Sequence, residues 1–359
     1  MDTARTLVET PLAGEHRKAG AHLEEFWDCL LPAGFSDFEK EYAAARESVA
    51  LFDTNWHGIF ELTGLDRVKY LHAITSNNIQ GLEEGRGIPA LLLNPQGHIL
   101  AELEVYARAE KLLVRVHASA RERTLATLEK YILASDVKIE DVTQKLGSVT
   151  VEGPAANLLV EQACGAHLGS LLEMGLKEVN VQMIPCVLLR RSQFDEIGAE
   201  FLARREWLPV LWQKLLEAAR ARLGEPIGME TLNALRLEAG VPWFGADFGE
   251  ATIPQEAAVE TTHVSFTKGC YTGQEIVERV RSRGHVNRKR VRLKFSTPAP
   301  PMAGTRLRAA GADAGYVTSA AFSPQAGTAI GMGYVRHEYF PPDSTVEFDG
   351  GTAEVLAEK

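Results

Sequence analysis

Apolar positions recur along this chain at two periods, and the places where one gives way to the other mark out its elements. From His16 to Leu51 the sequence is rich in Glu, Ala, Phe and Leu, with Phe26, Leu30 and Leu31 at helical spacing, which predicts helical packing material. At Gly58 the texture changes. Ile59-Phe60-Glu61-Leu62-Thr63-Gly64 predicts a strand ending in a glycine turn, and Asp66 opens a helix carrying Val68, Tyr70, Leu71 and Ile74. There follow the run Ala90 to Leu93, a turn at Asn94-Pro95-Gln96-Gly97, the run Ile99 to Tyr106, a strand from Leu112 to Val116 and a helix from Arg121 to Leu133. Near Ser148 a second unit begins in the same way: Val149-Thr150-Val151-Glu152-Gly153 precedes a helix through Leu158 and Val160, which hints at an internal repeat. It continues through Val187 to Arg191, Ala199 to Leu202 and an amphipathic helix from Pro209 to Leu223. Beyond Val286, alternating Val291, Leu293 and Phe295, glycine turns at Gly304, Gly311 and Gly315 and a hairpin around Asp349-Gly350-Gly351 predict a small β-barrel. The whole reads as α+β, with modules at 1–145 and 146–284 and a barrel at 285–359.

Composition narrows the function classes. With 359 residues, 45% hydrophobic and 24% charged, the chain suits two or three packed globular domains. A formal net charge of −10 argues against broad electrostatic binding of nucleic acid. One basic stretch, with Arg279, Arg281, Arg283, Arg288, Lys289, Arg290 and Arg292, stands apart from that average. It lacks an aromatic stacking run, so it reads as a solvated or partner-docking face, and nucleic acid is not expected as a strong direct ligand. Met1 to Lys18 carries acids and bases without the apolar run of a signal peptide, and no apolar run approaches the roughly 20 residues of a membrane span, so a cytoplasmic location is expected.

Cofactor and metal signatures are few. No G-x-G-x-x-G or G-x-x-x-x-G-K segment follows a strand, which disfavours a dinucleotide or P-loop site. Cys29, Cys164, Cys186 and Cys270 include no C-x-x-C pair, and the histidines show no H-E-x-x-H or i, i+4 pairing, so neither a disulfide framework nor a metal site is predicted.

The most informative stretch is Lys268-Gly269-Cys270-Tyr271-Thr272-Gly273-Gln274-Glu275. Thr272 and Glu275 form a T-x-x-E capping box, which predicts a helix starting just after Thr272 and ending near Gly284. Cys270 would then lie beside the positive end of that helix with Lys268 two residues away, and both favour a thiolate. The alternative is a small buried cysteine at a tight turn, with Gly269 and Gly273 present for backbone geometry.

This stretch is similar to the signature K-G-C-[FY]-x-G-Q-E of the YgfZ folate-binding proteins, relatives of the glycine-cleavage T-protein, and fills each fixed position. The resemblance covers most of the chain. Glu41 to Arg46 and Leu51-Phe52-Asp53 resemble the family's N-terminal segment, and Gly64-Leu65-Asp66 and Leu71 to Asn77 its G-x-D and F-L-x-x-x-T-N-D segments. Leu92 to Gly97 resembles the L-L-N-x-x-G turn, and Leu235 to Pro242 the R-L-E-x-G-x-P segment. The resemblance implies α+β modules around a central channel for tetrahydrofolate, a C-terminal barrel, and a role in assembly or repair of iron–sulfur proteins, with those proteins or their assembly factors as partners. Members are also often labelled tRNA-modifying.

The resemblance also assigns site residues. Arg191 to Phe201 resembles, with one residue missing, the segment whose Glu binds the pterin, which makes Glu196 the expected anchor and Asp195 the second choice. A carboxylate suits that role because a pterin edge presents an amino group and a ring N–H side by side. Arg236 is similar to the arginine lining the folate cavity, Trp243 is a candidate cavity aromatic, and Cys270 with Lys268 is the candidate reactive site. The plainer alternatives are a solvated turn for Glu196, a surface ion pair for Arg236 and core packing for Trp243. Where aminomethyltransferases carry an Asp-Asp pair, this chain has Ala101 and Glu102; Glu102 or Asp195 is the candidate acid for a folate-dependent aminomethyl- or methyltransferase, the alternative function, which the loss of the first acid disfavours.

Overall fold

The computed structural model describes residues 7–132 and 134–358, and its elements follow the predicted order except near the N-terminus. Residues 1–6, Leu133 at the predicted end of a helix, and Lys359 lie outside the described residues. By its internal packing the chain divides into two compact units. One draws on residues up to Leu71, Ile79–Ile88 and Leu103–Leu232, the other on His72–Asn78, Pro89–Glu102 and Asn233–Lys359.

The segment read as continuous helical packing material contains a hairpin. His22–Phe26 and Cys29–Gly34 pair antiparallel and close around Trp27 and Asp28, whose φ angles are 52° and 63°. Two successive positive φ angles give a turn whose twist suits a hairpin, but such turns are usually signalled by Asn-Gly or Asp-Gly, and Trp-Asp gives no such warning. Helices do flank it, at Ala13–Lys18 and Phe38–Glu47.

The repeat suggested by the sequence is visible in strand order. One sheet runs Gly87–Leu93, Ile99–Arg108, Lys111–His117, His57–Thr63, Lys138–Asp141, and a second runs Leu176–Val181, Ile184–Arg190, Gly198–Arg204, Leu146–Glu152, Ala50–Asp53, Glu225–Pro226. In each, a strand leads through a glycine into a helix, and the three strands that follow form a meander added to one side of that first strand. The turn glycines Gly64 and Gly153 adopt φ of 102° and 135°, a region open in practice only to glycine.

Burial in the first unit centres on the second sheet and the helix Leu208–Arg220. That helix turns Leu208, Leu211, Trp212, Leu215 and Ala219 inward at the i, i+3, i+4, i+7 spacing of an amphipathic helix, and each is fully buried. Burial of large side chains such as these contributes about 1.5–3 kcal/mol apiece. In the second unit, Arg288–Phe295, Thr328–Arg336, Ala312–Ser323, Arg306–Ala309, Thr345–Phe348 and Gly351–Leu356 close into a barrel, in that order around it. Val291, Leu293 and Phe295 fill its interior at period two, and closure leaves no open sheet edge. No helix among the described residues is long and apolar enough to cross a membrane.

Candidate functional site

The helix expected after the K-G-C-Y-T-G-Q-E segment spans Gln274–Arg283 and ends at Gly284, but Thr272 does not cap it. The N-cap is Gly273, at φ 83° and without a side-chain cap bond. A Cβ there would lie 2.6 Å from the carbonyl oxygen of Asn94, so this close backbone approach, more than a hydroxyl cap, dictates the start of the helix. Gly269 differs, since nothing lies within 4 Å of where its Cβ would be.

Cys270 is exposed, whereas Cys29 and Cys186 are buried and Cys164 is half-buried. Burial pushes the Cys29 thiol up to about 11, that of Cys186 up to about 12, and that of Cys164 upward as well. Lys268 points its ammonium at the carbonyl oxygens of His72 and Thr75, at the C-terminal end of the helix Arg67–Ile74, and lies 5.0 Å from the ring centre of Tyr271. A cation suits that end of a helix. Burial lowers the Lys268 pKa to about 8.

Glu102 meets a residue that the sequence did not single out. Its carboxylate lies 2.9 Å from Nε2 of His263, whose Nδ1 contacts the hydroxyl of Thr262 at 2.7 Å and the carbonyl of Val259 at 3.2 Å. Both ring nitrogens of His263 are therefore engaged, Nε2 by the Glu102 carboxylate and Nδ1 by Thr262 and Val259. The Glu102 side chain is 25% exposed and that of His263 11%, which leaves the pair within reach of solvent. Ala101 is fully buried, and consecutive strand residues face opposite ways, so Glu102 does not replace the acid missing at position 101.

Arg236 is buried, not a surface ion pair. Its guanidinium pairs with Asp247, donates to Asn233 Oδ1 at 2.8 and 2.9 Å and to the Val241 carbonyl at 3.1 Å, and lies 4.3 Å over the ring of Trp243. Asp247 also accepts from the Trp243 backbone N–H at 3.0 Å and from Thr318 and Ser319. Burial alone would raise the Asp247 carboxyl, but Arg236 and these donors outweigh it and hold it below the usual range. Arg236 thus organises the Val241–Asp247 turn, and Trp243 covers it.

In the first unit, Asp195 and Glu196 sit on a loop built around Glu152. The fully buried Glu152 carboxylate accepts from Ser192 Oγ at 2.6 Å and from the backbone N–H groups of Gln193, Phe194 and Glu196 at 2.7, 2.9 and 3.3 Å. Burial raises its pKa to about 7 against the pull of those donors. Asp195 is exposed, in the left-handed region at φ 65°. Glu196 is half-buried, with its carboxylate 3.8 Å from Arg46, too far for a hydrogen bond, so both oxygens retain capacity to accept.

A charge cluster in the same unit was invisible to motif reading. Arg115 bridges Glu104 at 2.8 Å and Glu200 at 2.6 Å, Glu104 also accepts from Arg191 at 2.8 Å, and His57 lies 3.1 Å from Arg115. Glu104 and Arg115 face each other directly across paired strands. Burial, reinforced by Arg115, depresses the His57 pKa well below its ordinary value, so the imidazole is neutral. The only signal in the sequence is a set of polar residues within otherwise apolar strands.

Comparison with known proteins agrees with this geometry. Residues 12–268 match the GCVT N-terminal domain, and residues 288–358 the glycine cleavage T-protein C-terminal barrel domain. The aminomethyltransferase of Rubrobacter xylanophilus is 30% identical over 354 residues, covering 99% of this chain and 91% of that protein. That of Moorella thermoacetica is 28% identical over 330 residues, 92% of this chain and 90% of its own. The crystal structure of the glycine cleavage system aminomethyltransferase T from Bartonella henselae superposes with a TM-score of 0.90 at 26% identity, covering 98% of this chain and 97% of that one. Two domain matches in the right order, a relative aligned almost end to end, and the pair of like-ordered sheets followed by a closed barrel together place this chain in the glycine cleavage T-protein family.

Proposed function

We propose that this chain is a tetrahydrofolate-binding protein of the YgfZ type, acting in the cytoplasm, that supports assembly or repair of iron–sulfur proteins through the thiol of Cys270. The observation that carries this reading is the exposure of Cys270 within the K-G-C-Y-T-G-Q-E segment, while Cys29 and Cys186 are buried and Cys164 is half-buried. The buried Ala101 supports it too, standing where aminomethyltransferases carry the first of two acids. Glu196 fits the pterin edge because both its oxygens can accept, and Glu152 holds the loop that presents it. Bound tetrahydrofolate would supply a carrier for one-carbon groups, and Glu196 would accept from its pterin edge. In a strain lacking the protein, wild type restores the activity of iron–sulfur enzymes and Cys270→Ala does not; equal restoration by both contradicts the role of the cysteine.

The second reading is a folate-dependent aminomethyl- or methyltransferase. It is favoured by the relatives, which are aminomethyltransferases, and by the Glu102–His263 pair, a carboxylate and an imidazole in hydrogen-bond contact, a combination suited to acid or base work. Formation of methylenetetrahydrofolate from an aminomethyl donor, lost in Glu102→Gln, supports this reading; its absence in a protein that binds tetrahydrofolate supports the first.

A further inference from the structure

A cavity of about 380 Å3 opens in the unit that contains the barrel, between the end of the helix Gln274–Arg283 and the segment around His337. It shares no residue with the groups proposed above to bind folate or carry the thiol. Its size falls within the range of pockets that hold a small ligand, about 300–1,000 Å3. Phe266, Val280 and Phe340 give it apolar lining, and the Arg281 guanidinium lies 4.2 Å over the Phe266 ring.

Two buried acceptors lack donors. Gln255, 8% exposed, donates through Nε2 to the carbonyl of Val277 at 2.9 Å, which fixes the amide and leaves Oε1 buried with no partner among the described residues. Glu260 Oε2 is likewise buried and unpartnered among the described residues. Both residues line the cavity. A folded protein rarely leaves such an acceptor unmet unless a ligand or water supplies the donor. At the rim, Arg281 and Lys289 carry positive charge beside His285 and His337, whose rings lie 5.7 Å apart. Arg281 lies 3.5 Å from Glu278 and Lys289 pairs with Glu358 at 2.5 Å; rim pairs of this kind are weak and exchange readily for an anion.

We infer that this cavity binds a flat bicyclic heterocycle with adjacent N–H donors on one edge and an anionic substituent, the chemistry shared by guanine nucleotides and phosphorylated pterins. Gln255 Oε1 and Glu260 accept from the donor edge, Phe266 and Phe340 flank the ring, and Arg281 and Lys289 face the anion. Two residues of the basic stretch that stood apart in the sequence, Arg281 and Lys289, thereby gain a role that needs no nucleic acid, while Arg288 pairs with Glu256 and the buried Arg290 donates to the Ala257 carbonyl.

The test is calorimetric titration of GMP, neopterin monophosphate and AMP into the full-length protein, with and without saturating tetrahydrofolate, so that failure of the folate reading is scored separately. GMP or neopterin monophosphate should bind in both conditions with a dissociation constant of about 10 μM or lower, and AMP, which lacks the paired donors, about tenfold more weakly or worse. Binding of the first identifies a nucleotide ligand and of the second a pterin. Glu260→Gln and Phe340→Ala should each weaken it about tenfold, and since they lie on different walls, destabilisation of one leaves the other to decide. The inference is overturned if neither ligand binds below about 1 mM, if AMP binds as well as the better of them, or if binding survives both substitutions.

Discussion

Two regions of this molecule use charge in opposite ways. Around Arg115 the charged groups answer one another: the buried Glu104, Glu200 and Arg115, the half-buried Arg191 and the neutral His57, gathered from segments far apart in sequence. In the segment from Lys268 to Glu275, the lysine holds a helix end and the cysteine beside it is left at the surface. The first arrangement fixes how strands pack. The second fixes a backbone and leaves a thiol accessible, which is what reaction with another molecule requires.

The largest effect is expected in the first region. Arg115→Met leaves Glu104 and Glu200 buried without their shared cation and should lower stability by about 3–5 kcal/mol, read as a shift of the urea midpoint. A loss below about 1 kcal/mol would mean that the cluster is not structural.

In the second region the two glycines separate geometry from chemistry. Gly273→Ala meets both a positive φ and the Asn94 carbonyl and should cost about 1–3 kcal/mol, whereas Gly269→Ala should stay within about 0.5 kcal/mol. Equal losses at both positions would show that the whole segment is a strained turn, with Cys270 included for its small size.

A pH dependence of stability is expected at Glu152. Burial raises its folded pKa to about 7 from an ordinary 4.5, so the folded state holds the proton more tightly. The stability this contributes is full below about pH 4.5 and is lost as pH rises through about 7. Unfolding midpoints between pH 5 and 8 should therefore slope downward by up to one proton, and Glu152→Gln should flatten that slope. An unchanged slope in the variant would assign the effect to other groups.

Much of this was legible in the sequence. Period-two alternation located the barrel strands, and the two strand–glycine–helix starts announced the paired sheets, because both signals are local. The turn at Trp27 and Asp28 was not legible, since neither residue type advertises a positive φ. Nor was Gly273 as the cap: the T-x-x-E pattern is local, but the Asn94 carbonyl that constrains the turn lies far away in the chain. His263 and the Arg115 cluster escaped for the same reason, as Glu102 and His263 are 161 positions apart and meet only once the chain has folded. Position 101 shows the converse, because strand alternation alone places Ala101 and Glu102 on opposite faces, a consequence that follows once the strand is assigned.

The measurement that bears most directly on the account is calorimetric titration of tetrahydrofolate into wild type, Glu196→Ala and Cys270→Ala. The account predicts one site in wild type, affinity reduced about tenfold or more in Glu196→Ala and unchanged in Cys270→Ala, with the ligand and the thiol held by different parts of the chain. No binding by wild type, or equal loss in both variants, would contradict it.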